Sequence, residues 1–140
     1  MNRTALLNEL KKDDEEKRLA KAKAALVRIV TELKARGEDN EGCARILKRV
    51  ISVFIASDHL ASETQHRFLN KLFNTEVSSE GFLAMIDGAA REAYVVEVTK
   101  FIATFGEETK KAFLTLGLCF ILADDYVSKE ELRMCERIFG

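Results

Sequence analysis

Residues 53–73, VFIASDHLASETQHRFLNKLF, align with residues 119–139, CFILADDYVSKEELRMCERIF, at a constant offset along the chain. Each stretch passes from an apolar segment through an acidic turn to an amphipathic segment that a serine opens. Asp58 matches Asp124, and Phe54 matches Phe120. We therefore predict an internal pseudo-twofold repeat of two helix–acidic turn–helix units, at about residues 43–73 and 107–139, with both phenylalanines buried near the centre.

The composition around these units predicts an all-α fold. The chain has 140 residues, no proline and only seven glycines, and 47% of its residues are hydrophobic. This length supports one core, and the shortage of breakers favours long helices. Helices are predicted at about residues 43–57, 62–73, 80–87, 89–105 and 107–124, and the first of these leaves little polar face. We expect a compact bundle of about six or seven helices.

Serine–glutamine and serine–glutamate pairs predict where the second helix of each unit begins. Ser62 and Gln65 have the spacing of a capping box, in which each side chain bonds the other residue's backbone amide. Ser128 and Glu131 repeat this spacing. Residues 104–107 have the same pattern and predict a third box, at the start of the helix over 107–124. Ser62, Gln65 and Ser128 are therefore interpreted as structural caps.

Residues 1–36 are predicted to form one charged helix ahead of a body at residues 37–140. Opposite charges spaced four apart across residues 11–18 support a solvated helix. Lysine and arginine exceed aspartate and glutamate by four in this segment, whereas the remainder is acidic. We expect an arm packed on the body through its C-terminal half. The same asymmetry permits contact with an acidic surface or peripheral association with a membrane.

Several classes of function are disfavoured by composition and motifs. A net charge of −1 and a pI near 6.2 give no general attraction to nucleic acid. No apolar run is long enough for a transmembrane helix, and no secretory signal precedes the body, so we expect a cytoplasmic protein. Cys43, Cys119 and Cys135 lack metal or redox spacing and are interpreted as apolar fillers. Known catalytic motifs are absent, and we expect no enzyme.

Two segments carry a resemblance to a known family. Residues 56–62, ASDHLAS, and residues 123–131, ADDYVSKEE, are similar to the A-D-G-x-[IV]-S-x-x-E signature of TerB-like domains, the tellurite-resistance-associated helical proteins. The resemblance covers about residues 43–140. It implies a compact helical fold, a divalent-cation site around the acidic turns, and a role in a stress-response or membrane-associated assembly. His59 and Asp125 replace the signature's glycine, and Gln65 replaces its glutamate.

The acidic turns also hold candidate cation ligands when judged from the residues alone. Carboxylate oxygens suit calcium or magnesium, whereas imidazoles favour zinc. The alternative is structural, because aspartates in turns commonly bond neighbouring backbone amides. The oxygen-ligand set is Asp124, Asp125, Glu131 and Asp58, and the alternative set is His59, Glu63 and His66.

Two functional hypotheses remain open from sequence. The first is a non-catalytic helical interaction module with a protein partner, in a stress-response or membrane-associated assembly of the tellurite-resistance type. The second is a domain that binds or senses a divalent cation through its acidic turns. The sequence leaves the partner, the ion and the oligomeric state undetermined.

Overall fold

The computed structural model describes residues 2–56, 62–89, 91–124 and 127–139. Within these ranges the chain is all-helical, which confirms the predicted fold class. The described part contains eight α-helices, where about six or seven were expected. They are α1 (Arg3–Lys12), α2 (Glu15–Ala35), α3 (Asn40–Ile55), α4 (Glu63–Phe73), α5 (Ser79–Ile86), α6 (Glu92–Ile102), α7 (Glu107–Ile121) and α8 (Lys129–Phe139), with a 3-10 turn at Leu122–Asp124 after α7.

Helix α7 lies at the centre of the bundle. It contacts α1, α2, α3, α4 and α8. Every residue from Ala112 to Ile121 except Thr115 is buried, so apolar side chains cover all sides of the helix. Such a helix is stable only when other helices surround it. None of the helices in the described ranges combines the length and the apolar character that crossing a membrane requires.

Helix α3 packs on α7 at Gly117. A Cβ atom at this glycine would lie 2.7 Å from ring carbons of Phe54, so only glycine allows the ring to lie this close to the helix. The Phe54 ring also stacks on Phe139, at 5.9 Å between centroids, and Phe120 meets Phe68 edge-on at 5.1 Å. Phe54 and Phe120 are both buried, as expected. The pseudo-twofold repeat itself stays a prediction.

The prediction of a single helix over residues 1–36 is wrong, because the helix is interrupted between α1 and α2. Asp14 caps α2 by accepting the backbone N–H of Lys17 at 2.8 Å. The ion pairs of the described residues do not include those expected four residues apart across residues 11–18. Lys21 instead bonds Glu9 at 2.9 Å and Asp13 at 2.6 Å, so α2 lies back against α1.

The N-terminal segment contributes core residues from its first half as well as its second, in contrast to the exposed arm predicted for its first half. Leu6 and Leu10 are buried with the rest of the hydrophobic core. Arg18, placed by the sequence in a solvated run, is only 7% exposed. Its guanidinium donates to the carbonyls of Leu10 at 2.8 Å, Lys11 at 3.3 Å and Leu122 at 3.0 Å. These bonds join α1, α2 and the turn after α7.

The capping box predicted at residues 104–107 is also wrong. Helix α6 ends at Ile102, and the hydroxyl of Thr104 donates back to the Phe101 carbonyl at 2.7 Å. Gly106 is the residue before α7 and supplies no side-chain cap. The threonine hydroxyl is therefore used by the preceding helix and not by the following one.

Candidate functional site

The two predicted serine caps begin α4 and α8. The Ser62 hydroxyl accepts the Gln65 backbone N–H at 3.0 Å, and the Gln65 side-chain oxygen accepts the Ser62 N–H at 3.1 Å. At α8, the Ser128 hydroxyl accepts the Glu131 backbone N–H at 3.1 Å, and Glu131 Oε1 accepts the Ser128 N–H at 2.9 Å. These side chains therefore satisfy backbone amides that a helix start otherwise leaves without partners.

The α4 cap is also bonded to the end of α7. The Ser62 hydroxyl donates to Asp124 Oδ1 at 2.5 Å. Gln65, which is 1% exposed, donates its side-chain amide to the Phe120 carbonyl at 3.2 Å. Asp124 thus holds the start of α4, which is a structural role for a residue proposed as a cation ligand.

The alternative cation ligands on α4 have different surroundings from one another. His66 Nε2 lies 2.5 Å from the Val77 carbonyl oxygen, and its ring stacks on Phe82 at 5.0 Å between centroids. Its contacts are therefore with α5 and the segment before it. Glu63 is exposed in the first turn of α4. The Asn70 side-chain amide also donates to Val77, at 3.1 Å.

The described residues bring together no group of three or more His, Cys, Asp or Glu side chains that could hold a metal ion. Asp58, His59 and Asp125 lie outside the described residues, so their part in a cation site stays untested. Glu131 is buried, and one of its carboxylate oxygens already serves the α8 cap.

The three cysteines are free and buried. Burial raises the pKa of the Cys119 thiol and of the Cys135 thiol to about 12. Because the thiolate is the nucleophilic and metal-binding form, these two thiols are unsuited to either chemistry.

The candidate binding surface lies on α3. The residues from Val50 to Ile55 are all buried, in keeping with the little polar face that was expected, and the charged residues of the helix precede them. Arg45 and Lys48 are exposed and Arg49 is half-buried. Residues three and four positions apart project from the same side of a helix, so the three cations share one face. Among the described residues, none of these three side chains forms an ion pair within 4.0 Å of a carboxylate.

On one side of this face is an apolar groove between α3, α4 and α5. Its volume is about 290 Å³. Phe73 and Met85 are partly exposed within it, and Lys48 is the one charged side chain among the described residues that line it. The groove is lined by Ala44, Lys48, Ile51, Leu69, Phe73, Thr75, Val77, Gly81 and Met85.

On the other side is a basic cavity between α3, the end of α5 and α6. Its volume is about 300 Å³, the lower end of the range for small-molecule sites. Lys48 and Met85 line both the groove and the cavity, which are therefore neighbours. The cavity is lined by Arg45, Lys48, Arg49, Ser52, Met85, Asp87, Ala89 and Tyr94.

Positive charge dominates the electrostatics of the basic cavity. The Arg49 guanidinium carbon lies 3.7 Å from the centroid of the Tyr94 ring. Hydrogen bonding to Arg49 lowers the pKa of the Tyr94 phenol, and the charges of Arg49 and Arg91 lower it further. Both effects favour the anionic form of a group at this position, so the cavity presents a positive potential.

Comparison with protein-family models, curated proteins and solved structures finds no match to the chain. The functional proposal therefore depends on the geometry of the site. Arg45, Lys48 and Arg49 were not among the residues selected from the sequence, although their spacing was a readable signal. The cavity depends on where α5 and α6 pack against α3, which no local pattern predicts.

Proposed function

We propose that the protein is a non-catalytic interaction module, and that its apolar groove receives an apolar side chain from an acidic segment of a partner protein. The observation that carries this proposal is a groove of about 290 Å³ whose described lining is apolar apart from Lys48, beside two further cations on α3. Anchoring of one apolar side chain in a pocket with a charged rim is a common arrangement at protein interfaces.

The apolar lining supports a protein segment as the occupant. Ile51, Leu69 and Phe73 contribute aliphatic and aromatic surface from two helices, and Met85 adds a side chain that adapts to different shapes. Covering this surface removes apolar area from water, which is the main favourable contribution to association.

The charges around the groove favour a partner segment of opposite charge. Lys48 lies at the border between the groove and the basic cavity, and Arg45 and Arg49 continue the positive face. Complementary charges steer encounter and suppress wrong partners. A segment with aspartate or glutamate beside its apolar anchor therefore fits this face better than a neutral or basic one.

The TerB-like resemblance suggests a setting for this interaction. We propose, on the residues that carry the resemblance, that the partner belongs to a stress-response or membrane-associated assembly of the tellurite-resistance type. The all-helical architecture is compatible with that relationship.

The test is selection of short peptides against the intact protein from a random display library, followed by affinity measurement of the selected peptides on variants. Ala44→Glu places a carboxylate at the exposed edge of the groove, four residues before Lys48. We expect the selected peptides to combine an apolar residue with acidic residues. Ala44→Glu should weaken the binding of these peptides by about tenfold or more.

The matched control is Ala20→Glu, which makes the same change at an exposed position on α2. It is expected to leave peptide affinity within about twofold of the native value. Selection of neutral or basic peptides, or equal weakening by both variants, would contradict the groove as the binding site.

A further inference from the structure

The cation face of α3 places like charges one helix turn apart. Arg45 and Arg49 are four residues apart, and like charges at this spacing destabilise a helix by a few tenths of a kcal/mol. Glu41 precedes Arg45 by one turn, and Glu97 of α6 lies on a neighbouring surface with both arginines. Within the described ranges neither glutamate forms an ion pair with them. Departure from local preference is typical of a functional position.

The charge of the basic cavity suits a dianion. Its lining contains Arg45, Lys48 and Arg49 against one carboxylate, Asp87, which leaves a net charge of +2. A phosphate monoester carries about −1.5 to −2 near pH 7, whereas a single carboxylate carries −1. The balance therefore favours a phosphate over a carboxylate.

The donor groups also match a tetrahedral phosphate. Each guanidinium presents a planar fork that can bond two phosphate oxygens, and the Lys48 ammonium adds a compact charge. Ser52 also lies in the wall of the cavity, but its hydroxyl proton is donated to the Lys48 carbonyl, so the donors for a phosphate are the three cations. Met85 and Ala89 offer apolar surface to the carbon part of an ester.

We propose that the basic cavity is a binding site for a phosphate monoester, held by Arg45, Lys48 and Arg49. This inference goes beyond the proposed function, because the cavity is separate from the apolar groove and shares only Lys48 and Met85 with it. The monoester comes either from a free organic phosphate or from a phosphorylated side chain of the segment in the groove.

The experiment is an NMR titration of the ¹⁵N-labelled full chain with O-phosphoserine, with serine, which lacks the phosphate, as the control. We expect phosphoserine to shift amide signals of α3 and of the start of α6, and serine to shift none. Affinity should rise between pH 5.5 and 7.5, because the second ionisation of the phosphate occurs near pH 6.

A pair of variants separates a built site from general attraction to positive charge. Arg49→Gln is expected to weaken phosphoserine binding by about tenfold or more. Arg28→Gln makes the same charge change at an exposed residue of α2 and should alter affinity by less than about twofold. Equal weakening by both variants, or amide shifts that avoid α3 and α6, would overturn the proposal. Thermal melting of each variant shows that it is folded.

The source of the phosphate is found with two versions of a groove-binding peptide, with serine or phosphoserine beside the apolar anchor. Tighter binding of the phosphopeptide than of its unphosphorylated version supports a phosphorylated partner. Phosphoserine binding with no gain from peptide phosphorylation supports a free organic phosphate. Ala44→Glu should weaken peptide binding by about tenfold or more and phosphoserine binding by much less, so failure of the groove and failure of the cavity give different results.

Discussion

Helices α3 and α7 are both rich in apolar residues, but α3 lines the groove and the basic cavity, whereas the C-terminal part of α7 is buried by its neighbours. Helix α7 is surrounded, because α1 and α2 pack on it in addition to α3, α4 and α8. Helix α3 presents Arg45, Lys48 and Arg49 between the apolar groove and the basic cavity. The surroundings of a helix, and not its apolar content alone, therefore decide whether it can carry a binding site.

The covering of α7 gives the charged N-terminal segment a structural role. Leu6 and Leu10 of α1 join the core, and Arg18 of α2 bonds the carbonyl of Leu122 just after α7. A buried guanidinium with several carbonyl partners joins three chain segments at one point. The charged N-terminal segment thus completes the burial of α7.

The largest expected effects come from truncating the central phenylalanines of the two helices. Phe54→Ala and Phe120→Ala should each lower the free energy of unfolding by about 3–5 kcal/mol, because each removes a ring that is almost fully buried. Urea unfolding followed by circular dichroism measures both. Similar losses would show that α3 and α7 are equally central to the core despite their different surroundings. A loss below about 1 kcal/mol at either position would contradict that view.

A smaller effect is expected where α2 covers the end of α7. Arg18→Met keeps a long side chain but removes the guanidinium bonds to the carbonyls of Leu10 and Leu122, at a cost of about 1–3 kcal/mol. Arg28→Met, at an exposed position of the same helix, should change stability by less than about 0.5 kcal/mol. Equal effects in urea unfolding would mean that Arg18 does not hold the N-terminal helices on α7.

The smallest stability effect distinguishes the caps of α4 and α8. Ser62→Ala and Ser128→Ala should each cost about 1 kcal/mol through loss of the cap. Ser62 also donates to Asp124, so a double-mutant cycle of Ser62→Ala with Asp124→Ala should give a coupling of about 0.5 kcal/mol. The same cycle with Ser128→Ala should give none. Coupling of equal size in the two cycles would show that the bond to Asp124 is not specific to α4.

Local patterns predicted much of the fold, since helix periodicity and the serine caps depend on neighbouring residues. The break between α1 and α2 was missed because alternating charges support a continuous helix as well as they support two short ones. Asp14 was the available signal, as aspartate is a preferred cap and glutamates follow it. The burial of Arg18 depends on Leu122, which is distant in sequence, and no local pattern reveals it.

The candidate site was less accessible to prediction from the sequence. The acidic turns indicated Asp124 as a cation ligand, but in the structure this residue is bonded to Ser62. The basic residues of α3 were not predicted to be part of a site. The cation site around Asp58, His59 and Asp125 stays a prediction. The groove and the cavity arise where three helices meet, so their lining combines residues that are far apart in the sequence.

The most direct test of the α3 face compares matched charge reversals on the two central helices. Lys48→Glu on α3 and Lys111→Glu on α7 change the same exposed residue type by the same charge. The measurement is the affinity of each variant for a selected acidic peptide at fixed ionic strength. We predict that Lys48→Glu weakens binding by about tenfold or more, while Lys111→Glu stays within about twofold of the native protein. Equal weakening by the two variants, or a larger effect at Lys111, would contradict α3 as the helix that carries the binding surface.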